Sequence, residues 1–119
     1  IQYALLFPDR PESPARKTDW NQRQTFELIP PDLDAFPALR LGFEVAEKGG
    51  TSGAVLNAAN EVAVARFLKR ELPFHQITCV VNDVLNHHEF DARPSLEQLL
   101  EVDRLAREEA ARWKTRHFN

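Results

Sequence analysis

Methionine is absent, cysteine occurs once, and only four of the 119 residues are glycine. Each shortage removes a class of answer. A chain with no methionine that starts at Ile1 is expected to be a cut piece of a longer translation product. The single thiol, Cys79, rules out an internal disulfide and any zinc site built on several cysteines. It stands in the run Ile77-Thr78-Cys79-Val80-Val81, where a small buried hydrophobe is expected rather than a nucleophile. The glycines, Gly42, Gly49, Gly50 and Gly53, have no spacing that cradles a pyrophosphate. Basic excess is missing too. A net charge of −3 gives no clustered Lys and Arg footprint for nucleic acid. No apolar run approaches the ~20 residues needed to cross a bilayer. Neither nucleic acid nor a membrane is therefore expected as a partner. With 43% hydrophobic residues, the chain can build one soluble domain with a modest core.

Helical periodicity dominates what is present. Ile1 to Phe7 is apolar and fits the start of a short helix or strand, ended by Pro8. From Pro8 to Gln24 the chain is polar and broken by Pro8, Pro11 and Pro14, as in an extended surface connection that Trp20 anchors to a neighbouring surface. Thr25-Phe26-Glu27-Leu28-Ile29 alternates before Pro30-Pro31, which predicts a short strand whose partner lies in Ile1–Phe7, elsewhere in a parent protein, or in another subunit. Pro37 suits a first helical position, Phe36, Leu39, Leu41, Phe43, Val45 and Ala46 form a stripe, and Gly49-Gly50 stops it. A second helix is expected from Ser52 to Arg70, with Val55, Leu56, Ala59, Ala63, Phe67 and Leu68 inward. A third runs from His75 to His88 on Ile77, Val80, Val81, Val84 and Leu85. The last opens at Ser95, which forms a capping box with Gln98, and buries Leu96, Leu99, Leu100, Ala106, Ala110 and Trp113. The reading is mainly α. An extended arm with one short strand over residues 1–31 leads into an antiparallel four-helix bundle over 32–119, because short connections reverse neighbouring helices.

Few side chains suggest chemistry. His87-His88-Glu89 resembles a metal cluster, and a small metal-binding regulator using His87 and Glu89 is one reading. Adjacent helical residues point about 100° apart, however, and histidines at a helix C-terminus serve well as caps. Asn57, Asn60 and Glu61 share one face at i, i+3 and i+4. They are either ligands for a substrate or cation, or structural groups that lock the preceding Gly/Ser/Thr loop and bond backbone on the adjoining helix. One carboxylate is few for a hard cation, which favours the structural role. Asp103, Arg104, Arg107, Glu108, Glu109, Arg112 and Lys114 read as a solvated surface with i, i+4 pairs. His75 and His117 lie near helix ends without an acid or nucleophile at a recognisable spacing. No catalytic, cofactor-binding or metal-binding residue is assigned.

The ordered segments carry a family resemblance. Gly49-Gly50-Thr51, then Leu56-Asn57-Ala58-Ala59-Asn60-Glu61-Val62-Ala63-Val64 and Phe67-Leu68 resemble the C-terminal region of the 1-deoxy-D-xylulose 5-phosphate reductoisomerase family. Ile1-Gln2-Tyr3-Ala4-Leu5 with Pro8-Asp9-Arg10, Phe26 with Pro31-Asp32, Phe36 to Leu41, Phe74 to Ile77, Ser95 to Leu100 and Asp103 to Arg107 follow in the same order. Ala15 to Gln24 is more polar than the family pattern, and Ser52-Gly53 predicts a looser start to the second helix. The resemblance implies a parent oxidoreductase with NADPH and a divalent Mg2+ or Mn2+ ion. It would rearrange and reduce a sugar phosphate to 2-C-methyl-D-erythritol 4-phosphate in non-mevalonate isoprenoid synthesis. It also implies that the metal, phosphate and nucleotide ligands precede Ile1, that the enzyme is a cytoplasmic or plastid homodimer, and that this piece supports the catalytic domain without an active site. The alternative is a free-standing helical interaction module.

Overall fold

The computed structural model describes residues 1–114 of the chain. Among them are five helices and no strand: α1 (Gln2–Leu6), α2 (Pro37–Lys48), α3 (Ser52–Leu68), α4 (Gln76–His87) and α5 (Leu96–Arg112). His117 lies outside the described residues. The chain divides into two units, one of Ile1–Pro30 and one beginning at Pro31.

The first unit is held by local contacts. Tyr3 and Phe7 on and just beyond α1 meet edge to face at 5.8 Å, and the Arg10 guanidinium lies 3.7 Å over the Tyr3 ring. Trp20 is exposed. The strand expected at Thr25–Ile29 does not form. Alternating residues define a strand only when a second backbone satisfies their N–H and C=O groups, and Ile1–Phe7 is committed to α1.

Helix formation in the second unit follows the sequence closely. The Asp32 carboxylate accepts the N–H groups of Asp34 and Ala35, closing a turn that delivers Pro37 as the first residue of α2. α2 ends at Gly49, whose φ of 64° no β-carbon tolerates well. α5 opens with the full capping box. Ser95 Oγ accepts the Gln98 N–H at 3.2 Å, and Gln98 Oε1 accepts the Ser95 N–H at 2.7 Å. α3 ends in a Schellman turn without glycine: Glu71 N–H donates to Arg66 O, Arg70 N–H donates to Phe67 O, and Arg70 itself takes a φ of 62°.

Cross-helix bonds give the running directions. Trp113 Nε1 donates to Asp83 and His87 meets Glu109, so α4 and α5 run oppositely. Glu61 meets Arg107 and Arg66 meets the Ala110 carbonyl, so α3 and α5 run the same way. The packing is uneven, however. α3 is the central helix against α4 and α5, and α2 touches it more lightly. Leu41, Val55, Ala58, Ala59, Ala63, Leu72, Val80, Val81, Val84, Ala106 and Ala110 form the core. Its small residues let α3 and α5 approach closely. Part of the expected stripes of α2, α3 and α5 stays outside: Phe36, Leu39, Phe43, Leu68, Leu96 and Leu100 are exposed, whereas that of α4 is buried or half-buried. Cys79 is exposed as well, contrary to expectation. It falls between the inward rows of α4 and directs its thiol to the His75 carbonyl at 3.7 Å.

Candidate functional site

The corner where α3 begins is tightly specified. Thr51 and Ser52 are each only 1% exposed, so their polar atoms must find partners inside the protein. Thr51 N–H donates to the Asp91 carbonyl at 2.9 Å, and Asp91 N–H donates back to Thr51 Oγ1 at 3.1 Å. Ser52 Oγ donates to the Gly49 carbonyl. The Asp91 carboxylate accepts from Arg93 N–H at 2.8 Å and from the Gln98 side-chain amide at 3.2 Å. One aspartate thus joins the start of α3 to the cap of α5. Gly50 is required here. Its φ is 55°, and a β-carbon on it would lie 2.1 Å from the Asp91 carbonyl oxygen. The loose start expected from Ser52-Gly53 is therefore replaced by a locked one.

Asn57, Asn60 and Glu61 separate into two roles. Asn57 Nδ2 donates to Glu61 Oε1 at 3.0 Å, and Glu61 Oε2 pairs with Arg107 on α5 at 2.8 Å. Arg107 also grips Asp103 through two N–H groups, at 2.7 and 3.2 Å. The side chains therefore tie α3 to the α5 side chains, whereas the Gly/Ser/Thr loop is held by Thr51 and Asp91. The Arg107 hydrogen bond, then that of Asn57, holds the Glu61 carboxyl below its ordinary value of 4.5. Asp103 first, then Glu61, raises the Arg107 pKa further. Asn60 borders a separate groove of about 550 Å³, lined by Pro37, Leu41, Leu56, Val64, Phe74 and Val81 with His75 and Thr78 at its margin.

Two of the histidines make hydrogen bonds within the fold. His87 Nδ1 lies 2.7 Å from Glu109 of α5, and His88 Nδ1 bonds the Leu85 carbonyl at 2.6 Å. They do not converge with Glu89. No group of three or more His, Cys, Asp or Glu placed to hold an ion occurs among the described residues. The α5 surface behaves as the spacing suggests: Arg104 pairs with Glu101 at 2.7 Å and with Glu108, and Arg112 reaches Glu108 at 3.9 Å. The Arg104 bond lowers the Glu101 pKa, and a backbone bond at the start of α5 lowers that of Glu97. Sequence reasoning missed Asp91, Asp83 and Arg66. Arg66 donates to the Ala110 carbonyl at 2.7 Å, near the end of α5. Only Asp91, four residues before the evident cap at Ser95, carried a local hint.

The chain as a whole is similar to known proteins. A family model described as the DXP reductoisomerase C-terminal domain matches residues 1–109. The 1-deoxy-D-xylulose 5-phosphate reductoisomerase of Pseudomonas aeruginosa (strain UCBPP-PA14) is 44% identical over 117 residues, covering 98% of this chain and 30% of the relative. That of Rhodopirellula baltica is 48% identical over 110 residues, covering 92% of the chain and 24% of the relative. A solved structure of the enzyme from Zymomonas mobilis in complex with NADPH superposes with a TM-score of 0.73 at 38% identity. It covers 92% of this chain and 29% of that one. The chain spans less than a third of the length of each of these relatives.

Proposed function

The chain belongs to the DXP reductoisomerase C-terminal domain family, and from that premise we propose that it is the helical C-terminal part of a reductoisomerase. The parent enzyme converts 1-deoxy-D-xylulose 5-phosphate to 2-C-methyl-D-erythritol 4-phosphate with NADPH and Mg2+ or Mn2+. The observation that carries this reading is the match along residues 1–109, with 44% identity to a named relative across nearly the whole chain. Membership of a family of enzyme C-terminal domains favours it over a free-standing interaction module.

Within this reading the chain braces and does not react. Its polar clusters are spent on structure: Asp91 on the α3–α5 corner, Arg107 on Glu61 and Asp103, His87 on Glu109. The described residues do not fit a divalent ion or a dinucleotide, since no acidic or histidine cluster and no phosphate-cradling glycine loop is present among them. We assign their ligands to the part of the polypeptide preceding Ile1. The exposed Phe26, Leu28 and Ile29 belong, in this reading, against a sheet in that part or in the partner of a homodimer. An intact-enzyme structure leaving that segment unpaired would remove this assignment.

The test uses the full-length enzyme. With 1-deoxy-D-xylulose 5-phosphate it should consume NADPH, chelation should stop turnover, and the 119-residue chain alone should show none. No turnover by the full-length enzyme, or turnover by this chain alone, overturns the reading. Deleting residues 32–119 should lower both the unfolding temperature and turnover of the enzyme. Unchanged values would end the bracing role.

A further inference from the structure

Helix α2 is apolar on two sides. Pro37, Leu41 and Val45 turn toward α3 and α4, with Leu41 buried and Val45 half-buried. At the 3.6-residue period, Phe36, Leu39, Gly42, Phe43 and Ala46 fall on the opposite side. Phe36 is 62% exposed, Leu39 45% and Phe43 63%, and the Arg40–Glu44 pair borders the stripe. A helix with apolar rows on both faces has the pattern of one buried on both faces. An apolar patch with a polar border is the mark of a contact surface.

Gly42 points the same way independently. Nothing lies within 4 Å of the place its β-carbon would take, and its backbone is ordinary helix. Neither crowding nor conformation in this chain calls for glycine there. Glycine inside a helix is unfavourable relative to alanine, and it permits another backbone to approach closely. The missing side chain sits within the uncovered stripe.

We infer that the outer face of α2 docks the part of the same polypeptide that precedes this chain, through an apolar element whose backbone meets α2 at Gly42. This inference rests on the reductoisomerase reading. The relatives are more than three times as long as this chain, and the matched family is a C-terminal domain, so most of their polypeptide lies upstream. A tethered segment covers such a stripe at high effective concentration in every molecule, whereas a second copy covers it only as concentration allows.

The test places a photo-crosslinking phenylalanine analogue at position 43 of the full-length enzyme, with turnover measured in parallel. The expected product keeps the mass of one chain on a denaturing gel and maps to residues preceding Ile1. A product of doubled mass overturns the inference, as does a crosslink within residues 1–119 or no crosslink. With turnover intact, any of these outcomes leaves the enzyme assignment standing. If the analogue impairs folding, Ala46→Cys, in the same stripe, gives a second reading through thiol labelling mapped to that position and separately from the exposed Cys79. Alkylation should be slowed at least about tenfold in the native full-length enzyme relative to the denatured one. Equal rates overturn the inference.

Discussion

Replacing Gly50 by alanine tests the central corner directly. The residue sits at φ 55°, where a β-carbon costs about 1–2 kcal/mol through collision with its own carbonyl. The new carbon would also lie 2.1 Å from Asp91 O and 2.9 Å from Ala92 Cα, and both are backbone atoms that cannot rotate away. Relief requires the Asp91 segment to retreat. That breaks the two hydrogen bonds with buried Thr51, worth together about 1–3 kcal/mol. Gly50→Ala should therefore destabilise the chain by about 2–5 kcal/mol, a large share of the ~5–15 kcal/mol typical of a folded domain. In thermal unfolding followed by circular dichroism, the midpoint should fall by at least about 10 °C. Gly53→Ala is the matched control. That glycine lies within α3 with nothing inside 4 Å of its β-carbon position, so alanine there should stabilise by about 0.5–1 kcal/mol. Opposite signs at two glycines three residues apart are the signature. If Gly50→Ala unfolds within about 0.5 kcal/mol of the unsubstituted chain, the corner does not hold α3 and α5 as described.

Three further outcomes follow from the same contacts. Ser95→Ala removes the acceptor of the α5 capping box and should cost about 1 kcal/mol in denaturant unfolding, with no change in the dependence on denaturant concentration. Arg70→Gly relieves a side chain held at φ 62° in the Schellman turn and should stabilise by up to about 1 kcal/mol. A loss of stability there would mean that the Arg70 side chain contributes more than the turn geometry reveals. The folded state lowers the Glu61 pKa below 4.5, so its pairing with Arg107 stabilises above that pH and is lost as pH falls through the folded value. Unfolding of Glu61→Gln beside the unsubstituted chain should then differ at neutral pH, converge in acid, and converge also in high salt, because the pair is exposed. A difference that persists in acid would place the effect of Glu61 outside this ion pair.

What could be read from the sequence is what near neighbours decide. Pro37 starts α2, Gly49 ends it, and Ser95 with Gln98 opens α5, because each acts on backbone groups within a turn of itself. The valines of α4 showed their inward face by spacing alone. Conversely, Thr51 and Asp91 are forty residues apart and carry no signal of each other. Arg107 had Asp103 as a visible partner, but its bond to Glu61 exists only because α3 and α5 lie side by side. The Thr25–Ile29 alternation was genuine, yet a strand needs a partner that pattern alone does not supply. Exposure of Cys79 and of the outer α2 stripe depended on which neighbour each helix met, and how many. The sequence by itself determined where helices begin, end and turn their apolar rows, since those are interactions of short range. Tertiary structure alone decided which rows are covered and which polar groups pair, since both depend on residues that the fold, not the chain, makes adjacent.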